Sequence, residues 1–442
     1  MKRIISYLLV VAMLVISMSA FTACSSKNSP SEPGKPTTEA TATPAASSDG
    51  SQGSVNTEVS GEVLFYHHWT DLNSTVLPEY VKEFNKTYPN VKIILETSND
   101  YNATLKIKLA ANDVPDVFEP DSNSMDVMAQ KALPLNDLSI TSDFVGANKY
   151  TGADGNVYGL PQGLNTYGVI YNKKIFKELG ISIPTKLDDF IAAAKKINDA
   201  GKGYIGLASA AKAKWPLQYY WQSVPMQLTG DADVLNKLAS SDKPFTADNA
   251  VVQSYSILKT LTDNKVFEAD PLSADWEPMK TEFRSGKVGM FFLGNWFIPQ
   301  AIGDVLTIED VGFFPFPYDN NGGKNVVVEA DCGWAISKTS KNPEATKAWF
   351  MFLADTKCAD FAKTNGFLSP RTSITVDSSV MNEFNSYNPN KIVANPQSQD
   401  LQAIISKMQF DYSAIAQNIV AGNDITKEFD DVNTKWAKSR VK

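Results

Sequence analysis

One stretch decides the fold: Phe283-Arg-Ser-Gly-Lys-Val-Gly-Met-Phe-Phe-Leu-Gly-Asn-Trp296. It predicts the end of a helix, a buried strand and a turn that presents an indole ring. Gly286 is expected to end the helix, because glycine adopts the left-handed backbone of a helix terminus without steric penalty. The apolar run 288–292 is typical of a strand buried on both faces. Gly294 lets the chain turn, which predicts that Trp296 lies at the carboxyl end of this strand, where open α/β sheets bind ligands.

Strand and helix patterns alternate along the chain outside this stretch. Residues 61–69 have the composition of a strand, and apolar residues then recur at helical spacing as far as Tyr88. Further strands are predicted at 91–95, 114–118 and 166–171, with helices between them. This alternation predicts an α/β protein with a parallel sheet covered by helices on both faces.

The first 60 residues predict export and anchoring. Lys2 and Arg3, followed by the apolar stretch 4–18, indicate a signal peptide over residues 1–23. Small residues precede Cys24 in a pattern similar to the bacterial lipobox, which predicts a lipid on the Cys24 sulfur. The alternative is a plain secretory signal that leaves Cys24 incidental. Residues 24–60 are rich in Ser, Thr, Pro, Ala and Gly and lack aromatic residues, so they predict a disordered linker.

Composition limits the possible functions. The chain has 442 residues, enough for two ordinary domains, and a net charge of −8. It has no basic run of the kind that follows phosphates, so nucleic acid is not a predicted partner. Besides Cys24 there are two cysteines, Cys332 and Cys358. In an exported protein these either form a disulfide or remain free, buried thiols.

The segment ending at Trp296 resembles the Gly-Lys-x-x-Met-x-x-x-Gly-x-Trp signature of family 1 extracellular solute-binding proteins. These are the sugar-capturing subunits of bacterial ABC importers. Segments 165–180, 183–190 and 333–349 resemble the same family. With the first segment, the resemblance covers most of residues 60–370.

This resemblance implies a periplasmic-binding-protein-like α/β fold, with a ligand cleft between two lobes joined by several crossings. It maps lobe one to 61–165 plus 323–368 and lobe two to 170–316 plus 372–442. Crossings are then expected near 165–168, 316–322 and 369–371. The implied function is capture of a carbohydrate, with an oligosaccharide favoured, and its delivery to a membrane permease. The resemblance also implies a lipid-anchored monomer on the outer face of a bacterial cell membrane, without cofactor or catalysis.

Aromatic rings and hydrogen-bonding neighbours are the candidate sugar-binding residues. An exposed ring covers the C–H face of a pyranose at little cost in rotamer entropy. The segment 215–217 resembles one that carries cleft aromatics in a sugar-binding member of the family, and Asn165 stands where that member has a cleft glutamate. For each tryptophan, packing in the core is the alternative. The predicted ligand-binding residues are Trp69, Asn73, Asn165, Trp215, Gln218, Trp276, Asn295, Trp296, Asp331, Trp334 and Arg371.

The two histidines and one glycine-rich loop do not predict a metal or nucleotide site. His67 and His68 point to opposite faces of a strand, and no third nitrogen or thiolate ligand stands nearby in the sequence. One of them either bonds a ligand at the mouth of the cleft or packs in the core. Gly201–Gly206 has the spacing of a dinucleotide loop, but a helix precedes it and a strand follows, which is the wrong order.

Two other classes of protein have weaker support in the sequence. A membrane-anchored glycoside hydrolase remains an alternative, because sequence does not exclude a catalytic carboxylate pair among 49 acidic residues. A structural adhesin or chaperone-like lipoprotein is a third possibility.

Overall fold

The structure, a computed structural model, describes residues 55–440 apart from Asn99 and Asn123. The predicted signal peptide 1–23, Cys24 and most of the predicted linker lie outside the described residues. No helix in the described part is both long enough and apolar enough to cross a membrane.

The described chain is a mixed α/β structure. Its strands are β1 Gly61–His67, β2 Val91–Thr97, β3 Val117–Phe118, β4 Leu160–Pro161, β5 Leu164–Asn172, β6 Ile205–Ala208, β7 Val288–Gly294, β8 Val311–Phe314, β9 Asn325–Ala330, β10 Gly333–Ile336 and β11 Asn390–Val393. Its α-helices are α1 Val76–Thr87, α2 Tyr101–Ala110, α3 Met125–Lys131, α4 Lys173–Leu179, α5 Leu187–Asn198, α6 Tyr219–Gln222, α7 Val224–Thr229, α8 Ala250–Asp263, α9 Trp276–Arg284, α10 Pro343–Met351, α11 Cys358–Thr364, α12 Ser379–Ser386, α13 Gln399–Met408, α14 Tyr412–Val420 and α15 Ile425–Ser439.

Two separate sheets form the frames of two lobes, which confirms the predicted two-lobed α/β fold class. The predicted parallel sheet is wrong, because both sheets also contain antiparallel pairs. The first has five strands in the order β2-β1-β3-β10-β4. In it β1 is parallel to β2 and β3, and β10 is antiparallel to β3 and β4. The carboxyl ends of β1, β3 and β4 therefore meet at one edge, together with the amino end of β10.

The second sheet has six strands, with the path β11-β9-β5-β7-β6 and β8 paired to β5. Every residue of β7 is buried, as its apolar sequence predicts. The preceding helix α9 ends at Arg284, and Gly286 follows with φ of 79°. These features agree with the helix end and buried strand predicted from residues 283–296.

The sheet pairing moves one predicted crossing. Residues 316–322 connect β8 to β9, and both strands pair with β5 in the second sheet. The stretch 325–330, assigned from sequence to lobe one, therefore belongs to the second sheet. The chain returns to the first sheet at Asp331 and Cys332, between β9 and β10. The sequence missed this because a strand's partners are fixed by long-range pairing. The remaining lobe limits stay a prediction.

Candidate functional site

A cavity of about 660 Å³ lies between the two lobes. The first lobe contributes His68, Trp69 and Asp71, which follow β1. The second lobe contributes residues from the edge of its sheet and from the segments after β6 and β7. A ligand in this cavity would touch both lobes.

Three tryptophans form a cluster on the second lobe. The ring of Trp215 lies 4.7 Å from that of Trp276 and 5.7 Å from that of Trp296, measured between centroids. Trp215 and Trp296 line the cavity. Trp276 supports both of them, because it also lies 5.9 Å from Trp296 and does not itself line the cavity. The result is an aromatic wall backed by a third ring.

Local backbone geometry makes this wall possible. A Cβ atom at Gly294 would lie 2.3 Å from Nε1 of Trp296, so only glycine leaves room for the indole. Two non-glycine residues before Trp215 have positive φ, Ala210 at 47° and Lys214 at 62°. Such strained positions persist where the surroundings hold them, and they cluster at functional sites.

Oxygen-bearing side chains from β5, β9 and the crossing face the same cavity. Nδ2 of Asn165 donates to Oδ1 of Asp331 at 2.9 Å, and the hydroxyl of Tyr167 donates to Oε1 of Glu329. Oδ1 of Asn165 is buried without a hydrogen-bond partner in the described structure. Buried polar atoms are normally paired, so this oxygen is an acceptor that the protein leaves unused.

A hydrogen-bonded group forms the wall on the first lobe. Nε1 of Trp69 donates to Oε1 of Gln162 at 2.9 Å, and Nε2 of Gln162 donates to Oε1 of Glu119 at 2.7 Å. Oε2 of Glu119 lies 2.7 Å from Nδ1 of His68 and accepts from its backbone N–H at 3.0 Å. The rings of His68 and Trp69 lie 4.1 Å apart. Two neighbouring rings thus face the cavity, held from behind by one carboxylate.

The two adjacent histidines have opposite electrostatic settings. Burial is the main effect that lowers the pKa of His67, whose Nδ1 accepts from the backbone N–H of Trp69. Nε2 of His67 therefore carries the proton and donates to Asn73 at 3.2 Å. Burial also disfavours charge on His68, but the attraction of the Glu119 carboxylate and the hydrogen bonds to Cys332 and Glu119 together outweigh it and raise the pKa of His68 to about 11. His68 is consequently an imidazolium at neutral pH.

Cys332 lies beside this ion pair, contrary to the expectation that no thiol stands near the histidines. The donor atoms of His68, Glu119 and Cys332 all lie within 4.8 Å of one another. Burial, helped by nearby carboxylates, raises the pKa of the Cys332 thiol to about 11, so it stays protonated at neutral pH. Both oxygens of Glu119 already accept hydrogen bonds. We therefore interpret the group as a hydrogen-bonded ion pair and not as a set of metal ligands. Cys332 and Cys358 are both free thiols.

A second cavity of about 570 Å³ adjoins the first and shares Gln222 and Glu329 with it. Among the described residues no tryptophan lines it, and half of its polar side chains are amides. Tyr412 and Gln402 line its side on the second lobe, and Lys149 lines its side on the first. Together the two cavities form an elongated site with an aromatic half and a polar half.

The structure brings together six of the residues predicted as ligand-binding: Trp69, Asn165, Trp215, Gln218, Trp296 and Asp331. Trp276 and Asn73 stand one layer behind, the first against the tryptophan wall and the second against His67.

Three predicted residues lie elsewhere, and the prediction is corrected for them. Trp334 is fully buried in the first lobe's core, because β10 is covered on both faces. Asn295 is fully buried and bonds the backbone of Leu164 and Thr166, so it fastens the turn after β7 to β5. Arg371 pairs with Asp143 and Asp355 and lines a different, smaller cavity.

Several residues of the site were not predicted from the sequence. Glu329 is the one charged residue of β9, directly after three valines, and it lies opposite Asn165 in the sheet. That lone charge was a usable signal. The sequence leaves His68 undecided between ligand contact and packing, and the structure places it at the cavity. Glu119 and Gln162 gave no signal, because each follows a strand of only two residues.

Comparison with known proteins relates this geometry to a family. Residues 70–357 match the sequence profile of the family described as bacterial extracellular solute-binding protein. The multiple sugar-binding protein of Streptococcus mutans is 25% identical over 316 residues, which are 68% of this chain and 73% of that protein. The melibiose/raffinose/stachyose-binding protein of Bacillus subtilis is 24% identical over 335 residues, 73% of this chain and 77% of that protein.

Solved structures share the fold. The ABC-transporter binding protein BlMnBP1 of Bifidobacterium animalis subsp. lactis, in complex with mannobiose, has a TM-score of 0.72 at 23% identity. The alignment covers 86% of this chain and 95% of that one. The solute-binding protein RafE in complex with raffinose has a TM-score of 0.71 at 21% identity, covering 86% of this chain and all of the other.

Proposed function

The chain belongs to the bacterial extracellular solute-binding proteins, and we propose that it captures an oligosaccharide between its lobes for an ABC importer. The family acts outside the cytoplasm. Its relatives named above bind multiple sugars, melibiose, raffinose and stachyose.

One observation carries this proposal: indole rings from both lobes face a single cavity that is also lined by carboxylates and amides. Trp69 comes from the first lobe, and Trp215 and Trp296 come from the second. Aromatic faces cover the C–H patches of sugar rings, while Glu329 and Asp331 accept hydrogen bonds from hydroxyls. Few other ligands need both kinds of group in such proximity.

The elongated site supports an oligosaccharide over a monosaccharide. The aromatic cavity adjoins a second, polar cavity through Gln222 and Glu329. A single sugar ring would leave the second cavity to water. A longer sugar, stacked on the tryptophans at one end, would place further hydroxyls against the amides at the other.

Anchoring, partner and chemistry complete the proposal. Cys24 carries a lipid after removal of residues 1–23, and residues 24–60 tether the folded part to the outer face of the cell membrane. The monomeric protein hands its sugar to a membrane permease. It makes and breaks no covalent bond, so the sugar leaves the cleft unchanged.

A thermal-shift screen tests this proposal. The chain without its first 24 residues is heated with melibiose, raffinose, stachyose, mannobiose, mannotriose or glucose. A sugar that binds only the native state raises the melting temperature by mass action. At a sugar concentration of 100 times Kd, it increases the free energy of unfolding by about 2.7 kcal/mol. At least one oligosaccharide should raise the melting temperature more than glucose does. No shift with any oligosaccharide at millimolar concentration would contradict the proposal.

A further inference from the structure

We infer that Glu119 is a buried positioning residue that sets both rings of the first lobe's wall, Trp69 and His68, for ligand contact. This inference rests on the proposed function, because it assigns the two rings to the sugar site. Glu119 is 3% exposed and does not line the cavity, so it acts through its neighbours.

Trp69, Gln162, Glu119 and His68 form a chain of hydrogen bonds. The order of donors and acceptors along this chain requires a carboxylate at position 119. The indole N–H of Trp69 can only donate, so it fixes the Oε1 atom of Gln162 toward Trp69. The amide nitrogen of Gln162 must then point at residue 119 and donate to it. Residue 119 has to accept at this oxygen.

The other oxygen of Glu119 faces donors as well. It accepts from the backbone N–H of His68 and from its Nδ1. A carboxylate is the only side-chain group that accepts at both ends. With glutamine at position 119, every orientation of the two amides, including a flip of Gln162, leaves one N–H facing another N–H.

Burial makes this arrangement specific. Gln162 is fully buried, and the backbone of Glu119 is fixed by Tyr101, whose hydroxyl donates to its carbonyl at 3.0 Å and accepts from its N–H at 2.8 Å. Water therefore has little access to replace a lost partner, and an unpaired donor costs its full desolvation energy. The parts meet because residues 68, 119 and 162 each directly follow a strand at the same sheet edge.

The consequence for the ligand is a fixed two-ring wall with one charged ring. Trp69 is held at its ring nitrogen, so its face is presented in one orientation. Nδ1 of His68 lies against Glu119, and the ring also makes a hydrogen-bonding contact with Cys332, so the imidazolium is held in place at the cavity wall. The groups facing His68 are Glu119 and Tyr101 from the first sheet and its flanking helix, Trp69 from its own loop, and the Cys332 thiol from the crossing.

The test exchanges the carboxylate and the amide between positions 119 and 162. Glu119→Gln breaks the order of donors and acceptors. Glu119→Gln combined with Gln162→Glu restores an acceptor for the indole N–H of Trp69 and a donor for that acceptor's other oxygen. In the double variant the carboxylate stands at position 162, where it accepts from the indole and from the amide now at position 119. The total charge of the two positions is unchanged, and the bond from Nε2 of Gln162 to the carbonyl of Gly333 at 3.2 Å is lost. Glu383→Gln is the matched control: Glu383 is another partly buried carboxylate, which accepts from the Tyr171 hydroxyl at 2.8 Å and pairs with Lys173, and it lines neither cavity.

Nitrogen-15 NMR of the sugar-free protein reads the positioning directly, with the Trp69 indole signal assigned from Trp69→Phe. Glu119→Gln should move this signal and lower the pKa of His68. The double variant should restore the indole signal but not the His68 charge, and the control Glu383→Gln should change neither. Gln162→Met is a second variant in case Glu119→Gln does not fold, and it should move the indole signal alone.

Calorimetry with raffinose and mannotriose then measures the effect of each variant on the Kd for sugar. Glu119→Gln should raise Kd by about tenfold or more, with partial recovery in the double variant and none of this loss in the control. An unmoved indole signal in Glu119→Gln would overturn the inference. If the wild-type chain binds no oligosaccharide, the proposed function has failed, and the NMR result still decides the role of Glu119.

Discussion

Replacing Trp296 with alanine removes one ring of the aromatic wall and weakens the ring beside it. Trp296 is half-buried, lines the cavity and contacts both Trp215 and Trp276. Truncation of a central aromatic anchor costs about 2–3 kcal/mol of binding free energy. That is roughly a 30- to 150-fold increase in Kd. The upper half of this range is expected, because Trp215 loses its lateral support at the same time.

The same change also costs folding stability, so the assay must separate the two effects. Removal of a fully buried tryptophan costs about 3–5 kcal/mol, and a half-buried ring about 2 kcal/mol. Isothermal titration calorimetry gives Kd, and thermal unfolding without sugar gives the loss of stability. Trp436→Phe is the control, because Trp436 is fully buried in the same lobe and lines neither cavity.

The control should lower the melting temperature and leave Kd unchanged, whereas Trp296→Phe, which keeps a ring, should lose less affinity than Trp296→Ala. A Kd for Trp296→Ala within a factor of about two of the wild-type value would refute the assignment of this ring to the site, since an anchor truncation costs far more.

Three further predictions concern other parts of the molecule. Gln402→Ala, in the polar cavity, should weaken binding of stachyose by about fivefold, as expected for a lost hydrogen bond, and leave melibiose unaffected; calorimetry with both sugars checks this. The His68–Glu119 pair stabilises the folded chain fully below pH 6.5, and this contribution is lost as pH rises toward about 11. Unfolding by urea between about pH 7 and 9 should therefore show a steeper loss of stability in the wild type than in His68→Gln. Arg371→Ala should lower the melting temperature through its two lost carboxylate partners while sugar Kd stays the same, and a change in Kd would return Arg371 to the site.

Local pattern was enough to predict the second lobe's strand and its tryptophan. The glycines at 286 and 294 and the apolar run between them determine a helix end, a buried strand and the place of Trp296. These are short-range effects of backbone geometry and hydrophobic periodicity.

The placement of other site residues could not be predicted, because it depends on pairing between distant segments of the chain. Trp334 follows a predicted ligand residue closely, yet its strand is covered on both faces and the ring is core. Asn295 adjoins Trp296 in sequence but turns inward to bond the backbone of β5. Gln162 lies 43 residues from Glu119 and 93 residues from Trp69, and the three side chains still meet. Such contacts depend on which strand ends meet at a sheet edge, and that information is not local.

Solution X-ray scattering tests the central claim, that a sugar is held between the two lobes, most directly. A ligand that touches Trp69 on one lobe and Trp296 on the other binds a closed arrangement better than an open one, and only that difference in affinity can shift the equilibrium. The account predicts that the radius of gyration falls when the wild-type chain is saturated with its best oligosaccharide, and that glucose produces a smaller fall. Identical scattering from saturated and sugar-free protein would contradict capture by closure and favour binding on a rigid surface.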